Sequence, residues 1–288
     1  MQRTRSSQAQ HVRRIVITGC STGLGRATAL RMVRAGWQVT ATVRKDADAA
    51  SLRAEAASPD LHVIVCDITR AEDVDALRQA VAAGGNGLDA LVNNAGTGYP
   101  GPLELQPLDE LRAQLEINTV AQLGVTQALL PMLKAARGTL INVSSIGGRM
   151  VFPGNGAYHM SKWALEAMSD GLRIELAPFG VRVVVIEPGS SPTAIWDTSL
   201  NRARASAGQV REWGDYAPLV GAVERLALRG AAAGFAPERF ADLVLKIVTS
   251  RRPRTRYALP AGAGLTIWLR KWLPDTWWDW GVRQMLGW

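Results

Sequence analysis

The sequence predicts one α/β domain in which helices cover both faces of an open parallel sheet, a doubly wound arrangement. From residue 14 onward, short runs rich in β-branched residues alternate with longer stretches that have the period of amphipathic helices. The runs are apolar at almost every position, which is typical of parallel strands buried on both faces. Ligands of such sheets bind beyond the carboxyl ends of the strands, so functional residues are expected there.

Seven apolar runs are predicted as strands, at residues 14–18, 37–43, 61–66, 88–92, 139–143, 181–186 and 256–259. The predicted helices between them cover residues 26–35, 47–57, 71–83, 108–137, 157–176 and 237–248. Gly36 follows the first helix, where a left-handed residue commonly ends a helix. No internal repeat and no linker divides the chain, so residues 14–261 are predicted to form a single domain after a flexible tail at residues 1–13.

Two segments depart from this alternation. Residues 190–235 are rich in Arg, Ala and Ser and show no clear strand, which predicts a helical lid over a substrate cleft. Residues 262–288 hold six of the ten tryptophans and predict two short amphipathic helices, 265–273 and 277–286, separated by a Pro-Asp break. This extension could cover the cleft, contact another subunit or lie in a membrane interface, where Trp and Arg are common. Aromatic stripes usually bury against protein, which favours the first two.

Composition and charge argue against several classes of protein. The chain carries a net charge of +8, but its Arg residues are scattered and no nucleic-acid-binding motif accompanies them, so a solvated basic surface is favoured over a nucleic-acid partner. No apolar run reaches the roughly 18 residues of a membrane-spanning helix. Residues 1–14 are polar and basic, unlike a secretory signal. We therefore expect a cytoplasmic protein, with contact to a membrane surface through the extension left open.

The cysteines and histidines do not predict a metal site. Cys20 and Cys66 lack metal-ligand spacing and lie in predicted strand or turn segments, which favours buried thiols. The three histidines, His11, His62 and His159, form no cluster in the sequence. No metal is therefore expected.

The turn after the first predicted strand is rich in glycine and reads TGCSTGLG at residues 18–25. Glycines permit a tight turn and let backbone N–H groups approach a pyrophosphate at the N-terminus of the next helix. The spacing is G-x-x-x-G-x-G, not the G-x-G-x-x-G usual in dinucleotide-binding folds. The residues expected to hold a cofactor here are Gly19, Ser21, Thr22, Gly23, Leu24 and Gly25.

The end of the second predicted strand favours one of the two nicotinamide cofactors. NAD-binding proteins usually offer a carboxylate to the ribose hydroxyls at this position. Here the chain has Arg44 with Lys45 beside it, and a guanidinium pairs well with a 2′-phosphate. NADP(H) is therefore expected in preference to NAD(H), the alternative being two solvated charges in a loop.

Seven motifs in order resemble the short-chain dehydrogenase/reductase family, and the resemblance extends over residues 14–193. They are TGCSTGLG at 18–25, Asp67 in CDIT, NNAG at 93–96, Asn118 in EINTV, Ser144-Ser145, Tyr158-x-x-x-Lys162 and Pro188-Gly189. The basic, apolar extension is similar to those of hydroxysteroid and retinol dehydrogenase-like members. The resemblance implies a Rossmann-type fold and an oxidoreductase that works as a homodimer or homotetramer.

Tyr158 and Lys162 are four residues apart in a predicted helix and therefore share one face. A free tyrosine has a pKa near 10, and we expect the ammonium, together with the positive nicotinamide of the oxidised cofactor, to lower it. Tyr158 can then protonate a carbonyl oxygen or accept a hydroxyl proton. The resemblance implies that Lys162 also reaches the nicotinamide ribose and that Ser145, with Ser144 as the competing choice, holds the substrate oxygen. It implies that Asn118 holds a water in a proton relay.

The remaining matches concern the cofactor. The resemblance implies that Asp67 and Ile68 contact the adenine, and that the NNAG residues pack under the adenosine and steady the central strand. Those residues are Asn93, Asn94, Ala95 and Gly96. Pro188, Gly189 and Thr193 are expected near the carboxamide or pyrophosphate, although Pro192 removes one N–H donor. His159 adjoins Tyr158, but neighbouring helix positions face different directions, so a surface or substrate-rim position is expected instead of a proton shuttle.

These residues predict reversible hydride transfer between NADP(H) and a hydrophobic alcohol or carbonyl compound of steroid, retinoid or aliphatic type. The apolar residues after Ser145 favour a hydrophobic substrate; they are Ile146, Met150, Val151 and Phe152. One alternative is the reduction of a 3-oxoacyl thioester, with the Arg-rich lid binding an acidic carrier. A non-catalytic NADP(H)-binding sensor or scaffold is disfavoured because all four candidate catalytic residues are present.

Overall fold

The computed structural model describes residues 12–191, 205–206, 209–210 and 212–288. Its centre is a sheet of seven strands, all parallel, and this confirms the predicted fold. The strands are β1 (Arg14–Ile17), β2 (Gln38–Val43), β3 (Leu61–Val65), β4 (Ala90–Asn93), β5 (Thr139–Val143), β6 (Arg182–Pro188) and β9 (Arg256–Leu259). Their spatial order is β3-β2-β1-β4-β5-β6-β9. The chain reverses its direction across the sheet between β1 and β4, which is where α/β sheets bind ligands.

Helices cover both faces of this sheet. They are α1 (Gly23–Arg34), α2 (Asp46–Ala56), α3 (Ala71–Ala83), α4 (Leu108–Leu115), α5 (Ala121–Ala136), α6 (Gly156–Leu176), α7 (Ala217–Ala232), α8 (Pro237–Thr249), α9 (Ala261–Trp272) and α10 (Asp275–Leu286). Successive residues of β1 enter opposite cores: Ile15 and Ile17 contact the core under α1 and α8, and Val16 the core under α3 and α5. Two buried faces explain why the strands are apolar throughout.

The predicted helix over residues 108–137 is interrupted. Between α4 and α5 the chain forms a π-helical turn, Glu116–Val120, which contains Asn118. A π-turn adds one residue to the helical repeat and therefore changes the direction of the side chains around it. The sequence pattern did not predict this turn.

The segment predicted as a lid contains α7, whose Val223 lies 3.4 Å from the position that a Cβ on Gly154 would take, so α7 contacts the loop before α6. It also contains a short antiparallel pair, β7 (Ala205–Ser206) with β8 (Gln209–Val210). The expectation that this segment has no strand was therefore wrong. Pro192 and Thr193 lie outside the described residues.

The C-terminal extension forms α9 and α10, which begin earlier than predicted and are separated at Leu273 and Pro274. Neither helix has a buried residue. Among the described helices, none is both long enough and apolar enough to cross a bilayer.

Candidate functional site

The glycine-rich turn between β1 and α1 requires glycine at specific positions. Gly19 has φ +72°, and a Cβ there would lie 2.7 Å from the Cα of Ala95. At Gly25 a Cβ would lie 2.3 Å from the carbonyl oxygen of Gly19. Side chains at these positions would collide with backbone, so only glycine permits this close turn.

Thr18, which follows β1, and Asn94, which follows β4, hold the glycine-rich turn in place. The Asn94 side chain donates to the carbonyl oxygens of Thr18, at 2.8 Å, and Gly19, at 3.0 Å. The Thr18 hydroxyl accepts from the backbone N–H groups of Asn94 and Ala95, both at 3.0 Å. These bonds join the ends of β1 and β4 and hold the turn in place.

Asn93 lies on the same strand but faces the interior. Its Nδ2 donates to Thr126 Oγ1 at 2.8 Å and to Asn142 Oδ1 at 3.0 Å, and the residue is fully buried. Asn93 therefore joins β4 to β5 and α5, in line with the expected steadying of the central strand, and its side chain does not reach the cofactor side.

The turn offers an anion site where α1 begins. Thr22 makes no side-chain cap to the helix, and the first turn of α1 contains no acidic residue. The unpaired N–H groups and the positive end of the helix dipole therefore remain uncompensated by protein carboxylates. A dinucleotide pyrophosphate fits these groups, with Ser21, Gly23 and Leu24 partly exposed beside it.

Arg44 and Asp67 follow neighbouring strands and lie near each other at the same edge of the sheet. Arg44 is exposed, and its positive charge acts on Asp67. Burial would raise the pKa of Asp67, but hydrogen bonds from Thr69 N, at 3.0 Å, and Thr69 Oγ1, at 2.8 Å, together with Arg44 and Arg70, lower it. Asp67 is therefore ionised, Ile68 beside it is buried, and the exposed Arg44 fits a 2′-phosphate.

The candidate catalytic residues come from three elements and meet at the carboxyl end of β5. Ser145 follows β5 and lies beside the Tyr158 phenol, whose pKa it lowers. Its hydroxyl donates to Pro188 O at 3.3 Å. It also accepts from Gly147 N at 3.0 Å. The hydroxyl of Ser144 is buried without a hydrogen-bond partner among the described residues. The geometry thus brings Ser145, not Ser144, to Tyr158.

Lys162 lies one helical turn after Tyr158 and is buried. Its Nζ donates to Val143 O at 2.9 Å and lies 5.8 Å from the centre of the Tyr158 ring. Burial lowers the pKa of Lys162 to about 8, while Glu166 acts in the opposite direction. Removing the ammonium from water is unfavourable for the charged form, and the nearby carboxylate only partly compensates.

The pKa of Tyr158 is raised in the chain without cofactor, and the lowering expected from Lys162 together with the oxidised nicotinamide stays a prediction. Burial raises this pKa, and the hydrogen bond with Ser145 only partly opposes the rise. In the protein alone, Tyr158 is therefore a neutral phenol suited to donate a proton.

Asn118 lies in the π-turn and is buried beside the other three residues. Its Oδ1 accepts from Thr97 N at 2.9 Å, and its Nδ2 donates to Thr97 O and Ser161 Oγ, both at 3.0 Å. A Cβ on Gly96 would lie 3.3 Å from Asn118 Oδ1 and 3.9 Å from Lys162 Nζ. Gly96 thus keeps open the space that separates Asn118 from Lys162.

The predicted surface or rim position of His159 was wrong. The side chain is buried, with Nδ1 2.9 Å from Gly147 O and Nε2 accepting from Phe152 N at 3.1 Å. Burial lowers the pKa of His159, which favours the neutral ring that these two contacts require. His159 therefore joins Gly147 and Phe152, the two ends of the loop that follows Ser145. It can do so because α6 begins at Gly156, directly after this loop.

Sequence reasoning missed a buried ionic cluster behind Lys162. Arg256 lies 3.1 Å from Glu166, 2.8 Å from Asp170 and 3.5 Å from Glu187, and Arg149 lies 3.2 Å from Glu187. Burial and the neighbouring Glu166 raise the pKa of Glu187. Two signals were present in the sequence: Glu166 is four residues after Lys162, and Glu187 is a charge at the end of an apolar strand.

The described residues contain no group of three or more His, Cys, Asp or Glu arranged to hold a metal ion. Cys20 and Cys66 are buried free thiols, as expected, and burial with Asp73 and Asp67 raises the pKa of Cys66 to about 11. Such thiols are unreactive.

Comparisons with known proteins agree with this geometry. The family model described as short chain dehydrogenase matches residues 13–203. The uncharacterized oxidoreductase YusZ of Bacillus subtilis is 35% identical over 94% of this chain and 97% of its own. An NADPH-dependent 3-dehydrocapnine reductase of Ornithobacterium rhinotracheale is 34% identical, covering 86% and 88%. Mouse retinol dehydrogenase 5 is 42% identical over 63% of this chain and 57% of its own.

Solved structures have the same architecture. A short-chain dehydrogenase from Streptomyces avermitilis superimposes with a TM-score of 0.77 at 32% identity, covering 96% of this chain and 99% of the other. A metagenomic short-chain oxidoreductase in complex with NADP gives 0.66 at 25% identity, covering 86% and 96%.

Proposed function

Because this chain belongs to the short-chain dehydrogenase/reductase family, we propose that it transfers hydride reversibly between NADP(H) and a hydrophobic alcohol or carbonyl compound. The family membership makes the chain an oxidoreductase with a nicotinamide cofactor. The observation that carries the finer proposal is the meeting of Ser145, Tyr158 and Lys162 at the end of β5, across from the glycine-rich turn.

The chain's own residues would bind and orient both reactants. The N-terminus of α1 would hold the pyrophosphate, Asp67 and Ile68 would contact the adenine, and Lys162 would reach the nicotinamide ribose. Bound NADPH would supply the hydride that reduces the carbonyl carbon. Ser145 would hold the carbonyl oxygen by a hydrogen bond, beside the Tyr158 hydroxyl.

Tyr158 would donate its proton to that oxygen as the carbonyl carbon is reduced. Its pKa is raised in the chain alone, so the phenol is protonated at neutral pH, which is the state from which it can donate. Lys162, with a pKa of about 8, is still mostly protonated at neutral pH. Its ammonium would stabilise the tyrosinate that remains after the transfer, and Asn118 would supply the next position of a proton relay.

The preference for NADP(H) rests on Arg44. The side chain is exposed and lies near Asp67, so a 2′-phosphate on the adenosine ribose would meet a guanidinium there. The name of the Ornithobacterium reductase includes NADPH, which supports the same assignment. The pyrophosphate and nicotinamide contacts expected of Pro188, Gly189 and Thr193 stay predictions.

A hydrophobic substrate is supported by the surroundings of Tyr158. Val151 is exposed, and Phe152 lies against Trp278 with ring centres 5.6 Å apart. Met150 is buried and does not line this opening. The relative named retinol dehydrogenase 5 acts, by its name, on a hydrophobic alcohol. The contact of α7 with the loop before α6 supports a lid on this side.

The decisive experiment is Tyr158→Phe in the purified full chain, assayed with NADPH and a panel of retinal, steroid ketones, aliphatic aldehydes and small hydrophilic ketones. We expect the turnover of the hydrophobic carbonyls to fall by about 10²- to 10⁴-fold because the proton donor is lost. NADPH binding, followed by fluorescence, should persist. The matched control is Tyr257→Phe in β9, which loses only the hydrogen bond from Arg254 N.

Unchanged turnover in Tyr158→Phe would refute the acid–base role, and turnover of hydrophilic ketones alone would refute the substrate class. Tight NADPH binding without turnover of any carbonyl would favour the sensor or scaffold. Adding 3-oxoacyl thioesters to the panel tests the reductase alternative. Residues 192–204, 207–208 and 211 of the Arg-rich lid proposed for it lie outside the described residues. Homodimer or homotetramer formation stays a prediction for light scattering.

The cofactor assignment has its own test in Arg44→Asp. The ratio of kcat/KM for NADPH over NADH should fall roughly ten- to hundredfold because a charge-assisted contact to the 2′-phosphate is lost. Arg112→Ala, an exposed arginine on α4, is the matched control. An unchanged ratio in Arg44→Asp would reject the assignment.

A further inference from the structure

The tryptophan-rich extension presents an apolar face to solvent. On α9, Leu265, Trp268, Leu269 and Trp272 recur at the spacing of one helical face and are 61%, 57%, 45% and 69% exposed. On α10, Trp277 and Trp280 are exposed to a similar extent. We refer to these six residues as the tryptophan face. An amphipathic helix normally buries such a stripe, so this face calls for an apolar environment outside the chain.

The tryptophan face is exposed although the extension is attached to the rest of the domain. The opposite side of α10 is held by Trp278, whose Nε1 donates to Val151 O at 3.3 Å and whose ring packs edge-on against Phe152. Trp288 stacks on Tyr216 with ring centres 5.9 Å apart. The extension is thus anchored to the body through these two rings, and its anchoring directs the tryptophan face outward.

Cations flank this face on both helices. The charged residues of α9 and α10 are Arg270, Lys271 and Arg283 with Asp275 and Asp279, a net charge of +1, and Arg270 is paired with Asp275. Lys271 and Arg283 are exposed on the two helices. Anionic phospholipid headgroups would attract the ammonium and guanidinium groups of these two exposed side chains. Tryptophan flanked by Lys and Arg is also the composition that prefers the boundary between headgroups and acyl chains.

We propose that the tryptophan face binds the surface of an anionic lipid bilayer, with α9 and α10 lying in the plane of the interface. Each helix has 12 residues, about 18 Å of length, and so is too short to cross the hydrocarbon. The anchor residue Trp278 touches Phe152, whose ring lies 6.4 Å from His159, and His159 lies 6.0 Å from Tyr158. Resting on the proposed function, these contacts place the extension on the side of the domain that holds Tyr158, so the bound bilayer would lie next to the site of a hydrophobic substrate.

The test is co-sedimentation of the full chain with vesicles of phosphatidylcholine alone or with 30% phosphatidylglycerol, without substrate or cofactor, so the result does not depend on the proposed activity. We expect binding to the anionic vesicles, weakening as salt is raised. Lys271→Ser and Arg283→Ser should each reduce the partition coefficient about fivefold. Trp268→Ser with Trp272→Ser should abolish both binding and quenching of tryptophan emission by brominated lipids.

Leu108→Ser with Ile174→Ser is the matched control, because these apolar side chains on α4 and α6 are equally exposed. It should bind vesicles like the wild type. Circular dichroism checks that each variant is folded, and the two charge variants test the proposal even if the double tryptophan variant does not fold. Absence of binding to anionic vesicles would overturn the proposal. A second result would also overturn it: a wild-type protein that does not bind vesicles but forms an oligomer, and a tryptophan variant in which this oligomer dissociates. A second copy of the chain would then cover the face.

Discussion

Two helices near the C-terminus carry the same sequence pattern and have opposite surroundings. In α8, Phe240, Val244 and Ile247 recur at helical spacing and are fully buried against α1 and the sheet. In α9, Leu265 and Trp272 begin and end a stripe of the same spacing, and that stripe is exposed. The period of apolar residues therefore predicts that a helix has an apolar face, and it does not predict what covers that face.

The difference follows from the position of each helix in the chain. α8 connects β6 to β9, which are parallel neighbours, and such a crossover connection lays its helix on the sheet. α9 comes after β9, the last strand, so no later strand brings the chain back across the sheet. The core of the domain is closed before the extension begins, and the extension can only attach to its surface.

The largest change in the free energy of unfolding is expected from a substitution in α8, the buried helix. Phe240→Ala should lower the free energy of unfolding by about 3–5 kcal/mol because it leaves a cavity in a dense core. Trp268→Ala, its counterpart on α9, should change it by no more than about 0.5 kcal/mol. Urea denaturation of both variants measures the difference. A loss of several kcal/mol in Trp268→Ala would show that the stripe is packed within the protein in solution.

The second effect compares the ionic contacts of the two regions. Arg256→Ala should cost about 3 kcal/mol because Glu166 and Glu187 are buried and would lose their shared cation. Arg270→Ala in the extension breaks an ion pair with the exposed Asp275 and should cost at most about 1 kcal/mol. Chemical denaturation at pH 7 gives both values, and equal losses would contradict the distinction.

The smallest effect is expected at His159, which lies next to Phe152, the residue on which Trp278 of the extension packs. Folding lowers the pKa of this histidine, so the folded state binds fewer protons than the unfolded state. The stabilisation is therefore complete above the ordinary value of about 6.5 and is lost as the pH falls from there through the lowered pKa. Thermal unfolding should show a loss of stability between pH 7 and pH 5 smaller than that caused by Arg256→Ala.

His159→Gln is the control for this titration. A glutamine amide can donate to Gly147 O and accept from Phe152 N without titrating. The pH-dependent part of the loss should disappear in the variant while its stability at pH 7 stays close to that of the wild type. An identical pH dependence in both proteins would assign the loss to other groups.

Much of the molecule could be predicted because the signals are local. Strands β5 and β9 have the predicted limits, and most other strand limits agree to within one or two residues, since continuous apolar runs are visible in a short window. The glycine-rich turn was also predictable, and the collisions that a Cβ would make at Gly19 and Gly25 explain why. The helical spacing of Tyr158 and Lys162 likewise placed them on one face of α6.

Other features depended on contacts between distant parts of the chain. The burial of His159 requires the loop between Gly147 and Phe152 to fold over it, and the π-turn at Asn118 forms where α4 and the turn itself pack against α6. The raised pKa of Tyr158 arises from burial, which no spacing of residues reports.

The sequence by itself determined the doubly wound sheet, the glycine-rich turn and the shared helix face of Tyr158 and Lys162, because strand burial, glycine spacing and helical periodicity are properties of short segments. The family resemblance, not these patterns, pointed to Ser145 and Asn118. Only the tertiary structure decided that Ser145 instead of Ser144 meets Tyr158 and that Arg256 joins Glu166 and Glu187 behind Lys162. It also decided that α8 is covered and α9 is not. Each of these depends on which surfaces the completed sheet leaves available, and that is settled by packing across the whole chain.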